Sequence, residues 1–303
     1  MPETAAPSLV ALFGPTACGK SAIAELLAAR LGGEVVSADS AALYADLTLL
    51  TAAPSGPTRL VGVFPLEQPV SVGAYQRLAH AAIDEILAAG AVPIIAGGTG
   101  LYLRAALAGL VLPPPPAAGQ RERYAGLYDG LGPERAHALL ARRDPAAAAR
   151  VHANDRRRVV RALELAAQGA SLAPGEDRLW SGETRHPTLV VGLELAPAEL
   201  ERRVRARLEA MVASGVVEEA RAAWRGPLSE TARRVLGLEE FATLPLPEAI
   251  ERTALATLRL ARYQRKWLRR LPVAARLDAD RPPGEIADEI VALAGARERL
   301  PRR

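Results

Sequence analysis

Through residues 8–100, apolar runs too short for helices alternate with longer stretches of helical period. Strands buried on both faces, joined by crossover helices, produce this pattern. The predicted strands are residues 8–13 (SLVALF), 34–38 (EVVSA) and 91–96 (AVPIIA). Helical patterns separate them, over 21–30 with Gly32 and Gly33 as the stop, and over 76–89. Each strand runs into a polar cluster: a glycine loop after the first, Asp39 and Ser40 after the second, Gly97-Gly98-Thr99-Gly100 after the third. In a parallel α/β sheet ligands bind beyond the carboxyl ends of the strands, so one edge is expected to gather all three clusters.

Pro113, Pro114, Pro115 and Pro116 form a stiff boundary. Residues 121–168 then read as helical, rich in alanine and arginine and without a strand signal. A strand pattern returns at 186–195 (HPTLVVGLEL), followed by one long amphipathic helix over 197–224. Another covers 247–271, with Ile250, Ala254, Leu258, Ala261 and Leu268 as its apolar stripe. A helical stretch bracketed by strands is the signature of an insertion. The expectation is an α/β core, a parallel sheet flanked by helices, built from 1–118 and 186–303, with an inserted all-helical subdomain at 119–185.

Composition narrows the class. The 303 residues are 50% hydrophobic and 24% charged, as in an ordinary globular protein. No apolar run approaches the ~20 residues that span a bilayer, and residues 1–7 lack the charged-then-apolar order of a signal peptide. Cys18 is the single cysteine, which precludes an intrachain disulfide. A cytoplasmic protein acting as a monomer, with no membrane partner, is expected. His80, His137, His152 and His186 lack metal-ligand spacing, so zinc is not expected. Trp180, Trp224 and Trp267 read as core or helix-packing residues.

The net charge is +4, and basic residues crowd into 150–161 and 252–270, where Arg262, Arg265, Lys266 and Arg269 share a helix face. Either cluster alone reads as a solvated face. Two of them in a phosphate-binding chain point to a polyanionic partner.

The phosphate signal is the loop Gly14-Pro15-Thr16-Ala17-Cys18-Gly19-Lys20-Ser21. Loop amides and the following helix N-terminus supply partial positive charge, Lys20 adds a full one, and the Ser21 hydroxyl can ligate Mg²⁺. Of the 38 basic residues only Lys20 and Lys266 are lysine, so a lysine at this point stands out against the composition. The loop makes the core P-loop NTPase-like without fixing the reaction, because kinases, nucleoside triphosphatases and some transferases share it. Asp39 is placed as a general base or a metal ligand, or as a turn aspartate.

Together, the loop, Val36-Ser37-Ala38-Asp39-Ser40 with Tyr44, and Gly97-Gly98-Thr99-Gly100-Leu101-Tyr102 resemble the bacterial tRNA dimethylallyltransferases. Asp144-Pro145, Asn154-Asp155 with Arg158 and Arg161, Arg203-Val204 with Arg207 and Met211, Gly215 with Glu219, and Gln264 with Trp267 follow in the family's order. The resemblance runs over about residues 8–270. It implies transfer of a dimethylallyl group from dimethylallyl diphosphate to the N6 amine of an adenosine beside the anticodon. It further implies Asp39 as base, and Thr99 on the bridging oxygen or the adenine. Gly14, Thr16, Ala17, Cys18, Gly19, Lys20 and Ser21 would hold the diphosphate with Mg²⁺, joined by Arg121 or, in its place, Arg123. The tRNA anticodon stem-loop would meet Asp39, Ser40, Ala41, Ala42, Thr99, Arg158, Arg161, Arg262 and Gln264.

The chain departs from the family at several points. Ala41 and Ala42 stand where a basic residue and a glutamine are usual, and Ala53 where a lysine is. Residues 59–64 (RLVGVF) replace a segment with paired histidines and an aspartate. Gly237-Leu238-Glu239 and Arg262-Tyr263 replace glycine-tyrosine-lysine and lysine-arginine. These losses fall at the RNA end. Two alternatives remain open on the residues: a P-loop kinase of a small metabolite, for which no clear lid motif is present, and a divergent RNA- or nucleotide-binding relative.

Overall fold

The computed structural model describes residues 8–54, 56–115, 117, 119–173 and 179–298. It divides into two compact units, Met1–Gly109 with Leu179–Arg303, and Leu110–Arg178.

In the first unit β1 (Leu9–Phe13) is buried along its whole length, as its unbroken apolar run requires. α1 (Lys20–Leu31) follows and ends at Gly32, which adopts a left-handed φ of 60°. Then come β2 (Gly33–Ser37), the two-residue β3 (Thr58–Arg59), α2 (Val72–Ala88), β4 (Val92–Gly97) and α3 (Gly100–Leu107). α2 starts earlier than its apolar period does, because the Ser71 side chain accepts from the Ala74 amide and caps it.

The second unit holds α4 (Gln120–Leu131), α5 (Pro133–Arg143), α6 (Pro145–Ala148) and α7 (Arg156–Ala166). Its core is built on Tyr124, Tyr128, Leu140, Val159 and Leu163. Pro116, Ala118 and residues 174–178 lie outside the described residues.

The first unit resumes with β5 (Thr188–Glu194), α8 (Pro197–Ala213), α9 (Val216–Arg225), a 3₁₀ turn at Ala232–Arg234, and α10 (Leu238–Thr243). α11 (Leu246–Arg270), β6 (Ala275–Asp278) and α12 (Pro283–Glu298) complete it. The single long helix expected over 197–224 is two helices. Ser214 closes α8 and Gly215, at φ 97°, turns the chain into α9.

All six described strands are parallel, in the order β3-β2-β4-β1-β5-β6. Register brings the exits of the central strands level: Phe13 pairs with Gly97, and Ser37 with Ala96. The chain leaves β1 into the phosphate loop, β2 into Asp39 and β4 into Thr99, so all three clusters meet at one sheet edge. The segment that departs from the family, 59–64, has a structural role here. Arg59 pairs with Glu34 at 2.8 Å and Glu85 at 2.6 Å, and Phe64 bridges to Tyr44. No described helix is long and apolar enough to cross a membrane.

Candidate active site

The phosphate loop turns through left-handed backbone at Ala17 (φ 62°) and Gly19 (φ 87°), and Gly19 leads into α1. Alternating handedness of this kind points successive amides to one side, as an anion cradle requires. Gly14 is held to glycine by packing: a Cβ there would lie 2.9 Å from both Cys18 Sγ and the Leu193 carbonyl oxygen. Cys18 is buried beneath the loop, while Gly19 and Ser21 are exposed. Lys20 Nζ donates to the carbonyls of Pro15 at 2.7 Å and Gly14 at 3.1 Å, folded back over the loop it serves.

Asp39, half-buried, follows β2. Its Oδ1 accepts from the Ala41 amide at 2.9 Å, and its own amide donates to Ser37 Oγ at 3.3 Å. Tyr75, buried beneath, donates its hydroxyl to the Ser37 carbonyl at 2.9 Å. Burial, with smaller help from Tyr102 and Asp39, raises the Tyr75 pKa, so the phenol stays a neutral donor. Thr99 Oγ1 sits 3.4 Å from both the amide and the hydroxyl of Ser40, tying the β4 exit to the β2 exit.

A cavity of about 340 Å³ opens at this edge. Thr16, Ala17, Gly19, Lys20 and Ser21 line one side, and Asp39 with Ala42 another. The glycine loop and the Asp39 carboxylate thus face one space. Among the described residues no cluster of three His, Cys, Asp or Glu side chains could hold a metal.

The glycines after β4 have a different neighbour from the ligand their spacing invites. A Cβ on Gly98 would lie 2.3 Å from Gln264 Nε2, and one on Gly100 would lie 2.3 Å from Trp267 Cε3. Both positions are glycine because α11 lies directly on the β4 exit. Gln264, buried, also accepts from the Thr16 amide through Oε1 at 2.8 Å. It therefore braces the phosphate loop.

Arg207, on α8, was absent from the candidate site residues. Its guanidinium donates to Thr16 Oγ1 at 3.2 Å and to the Thr51 carbonyl at 3.3 Å, and it lines the cavity. Burial lowers its pKa, and the Asp39 carboxylate works in the opposite direction. In the sequence Arg207 stands out only as part of the family-order motif Arg203-Val204 with Arg207 and Met211, which assigns it no role. Glu219, on α9, secures the neighbouring loop by accepting from the amides of Leu49 at 2.9 Å and Leu50 at 2.8 Å.

Other candidates occupy their own settings. In the helical unit the fully buried Glu164 accepts from Arg121 Nε at 3.1 Å and Arg161 Nη1 at 2.9 Å. Arg158 lies 3.7 Å from the Asp155 carboxylate that caps α7. Arg123 lies over the Tyr124 ring. On α11, Arg262 and Arg269 are exposed and have no ion-pair partner among the described residues. Ala42 is buried, and Ala41 is half-buried.

Comparison with known proteins places this arrangement. A family model described as IPP transferase matches residues 42–271. The tRNA dimethylallyltransferase of Salinispora arenicola is 39% identical over 305 residues, covering 96% of this chain and 88% of the relative. That of Anaeromyxobacter dehalogenans is 42% identical over 274 residues, covering 86% and 92%. A crystal structure of the tRNA isopentenylpyrophosphate transferase of Bacillus halodurans superposes with a TM-score of 0.68 at 29% identity, covering 96% of this chain and 98% of that one. A eukaryotic dimethylallyltransferase acting on tRNA shares the fold, with a TM-score of 0.76 at 22% identity and coverage of 95% and 78%. The chain belongs to the IPP transferase family.

Proposed function

We infer that this protein is a tRNA dimethylallyltransferase. It transfers the dimethylallyl group of dimethylallyl diphosphate to the N6 amine of an adenosine beside the anticodon and releases diphosphate. The observation that carries the reading is the single cavity shared by the phosphate loop and Asp39.

The chemistry divides between the two walls. The C1–O bond to diphosphate breaks while a C1–N6 bond forms. The amine proton passes to a carboxylate, and among the described residues lining the cavity Asp39 is the one that carries it. Negative charge gathers on the leaving diphosphate, where the loop amides, Lys20 and Arg207 stabilise it more strongly than they do the bound substrate. Thr99, beside Ser40, orients the adenine or the bridging oxygen. Mg²⁺ suits this wall, because the exposed Ser21 hydroxyl and the diphosphate oxygens form the hard-oxygen set that this ion takes up. Bound there, it would offset charge on the leaving group.

The acceptor adenine must leave its stack to reach the cavity. The basic side chains of α7 (Arg158 and Arg161) and of α11 (Arg262 and Arg269) would hold the anticodon stem-loop through its phosphates. The small Ala41 and Ala42 leave recognition at the β2 exit to backbone and Ser40.

Incubation with labelled dimethylallyl diphosphate and unmodified tRNA tests the reading. Label in the RNA adenosine with equimolar diphosphate release is expected. No label, with ATP-dependent phosphorylation of a small acceptor, would overturn it.

A further inference from the structure

Tyr263 stands where the chain departs from its family's lysine-arginine pair, and it is 57% exposed on α11. Beneath it lies a column of rings. Its ring centroid is 6.4 Å from Trp267 in an edge-on arrangement of 74°, and Trp267 lies 4.6 Å from Trp180. The Arg270 guanidinium closes the far end, 3.6 Å from the Trp180 ring centroid. Trp267 is itself pressed against Gly100, where even a Cβ would collide with it. The column is fixed in place, and its outermost ring faces solvent.

The charges around that ring are of one sign. Between Arg252 and Arg270, α11 carries seven cations and no carboxylate. Arg259 and Lys266, four residues before Tyr263 and three after it, share its face. Both are exposed and have no ion-pair partner among the described residues. A supported aromatic face between two free cations is the arrangement by which proteins hold unpaired nucleotides, with a base on the ring and phosphates on the cations. An acidic protein surface would engage the cations but would give the ring no flat partner.

We propose that Tyr263 is a stacking platform for an unpaired nucleobase of the acceptor RNA loop, with Arg259 and Lys266 on the adjoining phosphates. The proposal rests on the reading of tRNA as acceptor. A π-face takes the place of the family's charge at this position, so binding here depends on stacking rather than on one more ion pair.

Anticodon stem-loops carrying 2-aminopurine at single positions flanking the acceptor adenosine provide the test, with affinity and fluorescence measured on the full chain. Wild type and Tyr263→Phe are expected to quench the probe at one position. Tyr263→Ala should lose that quenching and bind roughly 5- to 150-fold more weakly, with its salt dependence unchanged because no charge is removed. Tyr263→Leu keeps apolar bulk on the helix and should behave like the alanine variant. Wild-type binding matched in affinity and quenching by both Tyr263→Ala and Tyr263→Leu would overturn the stacking role alone. A wild-type protein that binds no stem-loop would overturn the acceptor reading together with it.

Discussion

The side chain of Gln264 accepts a hydrogen bond from the backbone amide of Thr16 at 2.8 Å across 248 residues of sequence. The helix α11 therefore helps to fix the loop that would hold the diphosphate. Gln264→Leu removes the acceptor and leaves a part-buried amide unpaired, which costs about 1–3 kcal/mol. The KM for dimethylallyl diphosphate is expected to rise roughly 5- to 150-fold. Gln264→Glu keeps an acceptor but buries a carboxylate beside the anion-binding loop, so it should not recover that loss. Steady-state titration of the three proteins checks both statements, and equal KM values would show that the loop holds its shape unaided.

The glycines after β4 predict a contrast in stability. Gly100→Ala places a methyl 2.3 Å from the Trp267 ring and should destabilise by about 1–3 kcal/mol. Gly109→Ala meets nothing within 4 Å and should stay within about 0.5 kcal/mol of wild type. Urea unfolding of the two variants measures the difference.

Acid stability has an identifiable contributor in Glu199. Hydrogen bonds from Arg202 and then Arg203 hold its carboxyl at about 2, well below its ordinary value of 4.5. The native state therefore binds this proton less readily than the unfolded chain does. Its contribution is complete above about pH 4.5 and is lost as the pH falls towards 2. Glu199→Gln should lose stability at neutral pH and show a shallower decline between those values, as read from thermal unfolding across the range.

Arg262 and Arg269 carry a prediction about salt. If each contacts a phosphate, replacing both with alanine should weaken stem-loop binding and reduce the slope of log affinity against log salt by about 1.4 to 1.8. An unchanged slope would mark both side chains as solvated.

Much of this was legible in the chain. The unbroken run of β1, the glycine loop and the single lysine within it pointed to the loop that lines one wall of the cavity, and Asp39 after a second apolar run pointed to the carboxylate that lines another. β3 and β6 were not legible, because two and four residues are too few to establish a period. The division of the helix at Gly215 was not legible, because the apolar stripe continues on either side of it. Arg207, Gln264 and Trp267 acquire their roles only when α8 and α11 are laid against the sheet edge. The glycines of the β4 exit showed that something comes close, and only the packing identified it as α11.

Asp39 is proposed to take the amine proton in the cavity whose other wall would hold the diphosphate. Single-turnover transfer to tRNA by Asp39→Asn, measured beside the binding of a non-reactive dimethylallyl diphosphate analogue, tests it most directly. A fall in rate of roughly 10²- to 10⁴-fold with analogue affinity unchanged is the predicted result. Transfer at the wild-type rate would contradict it.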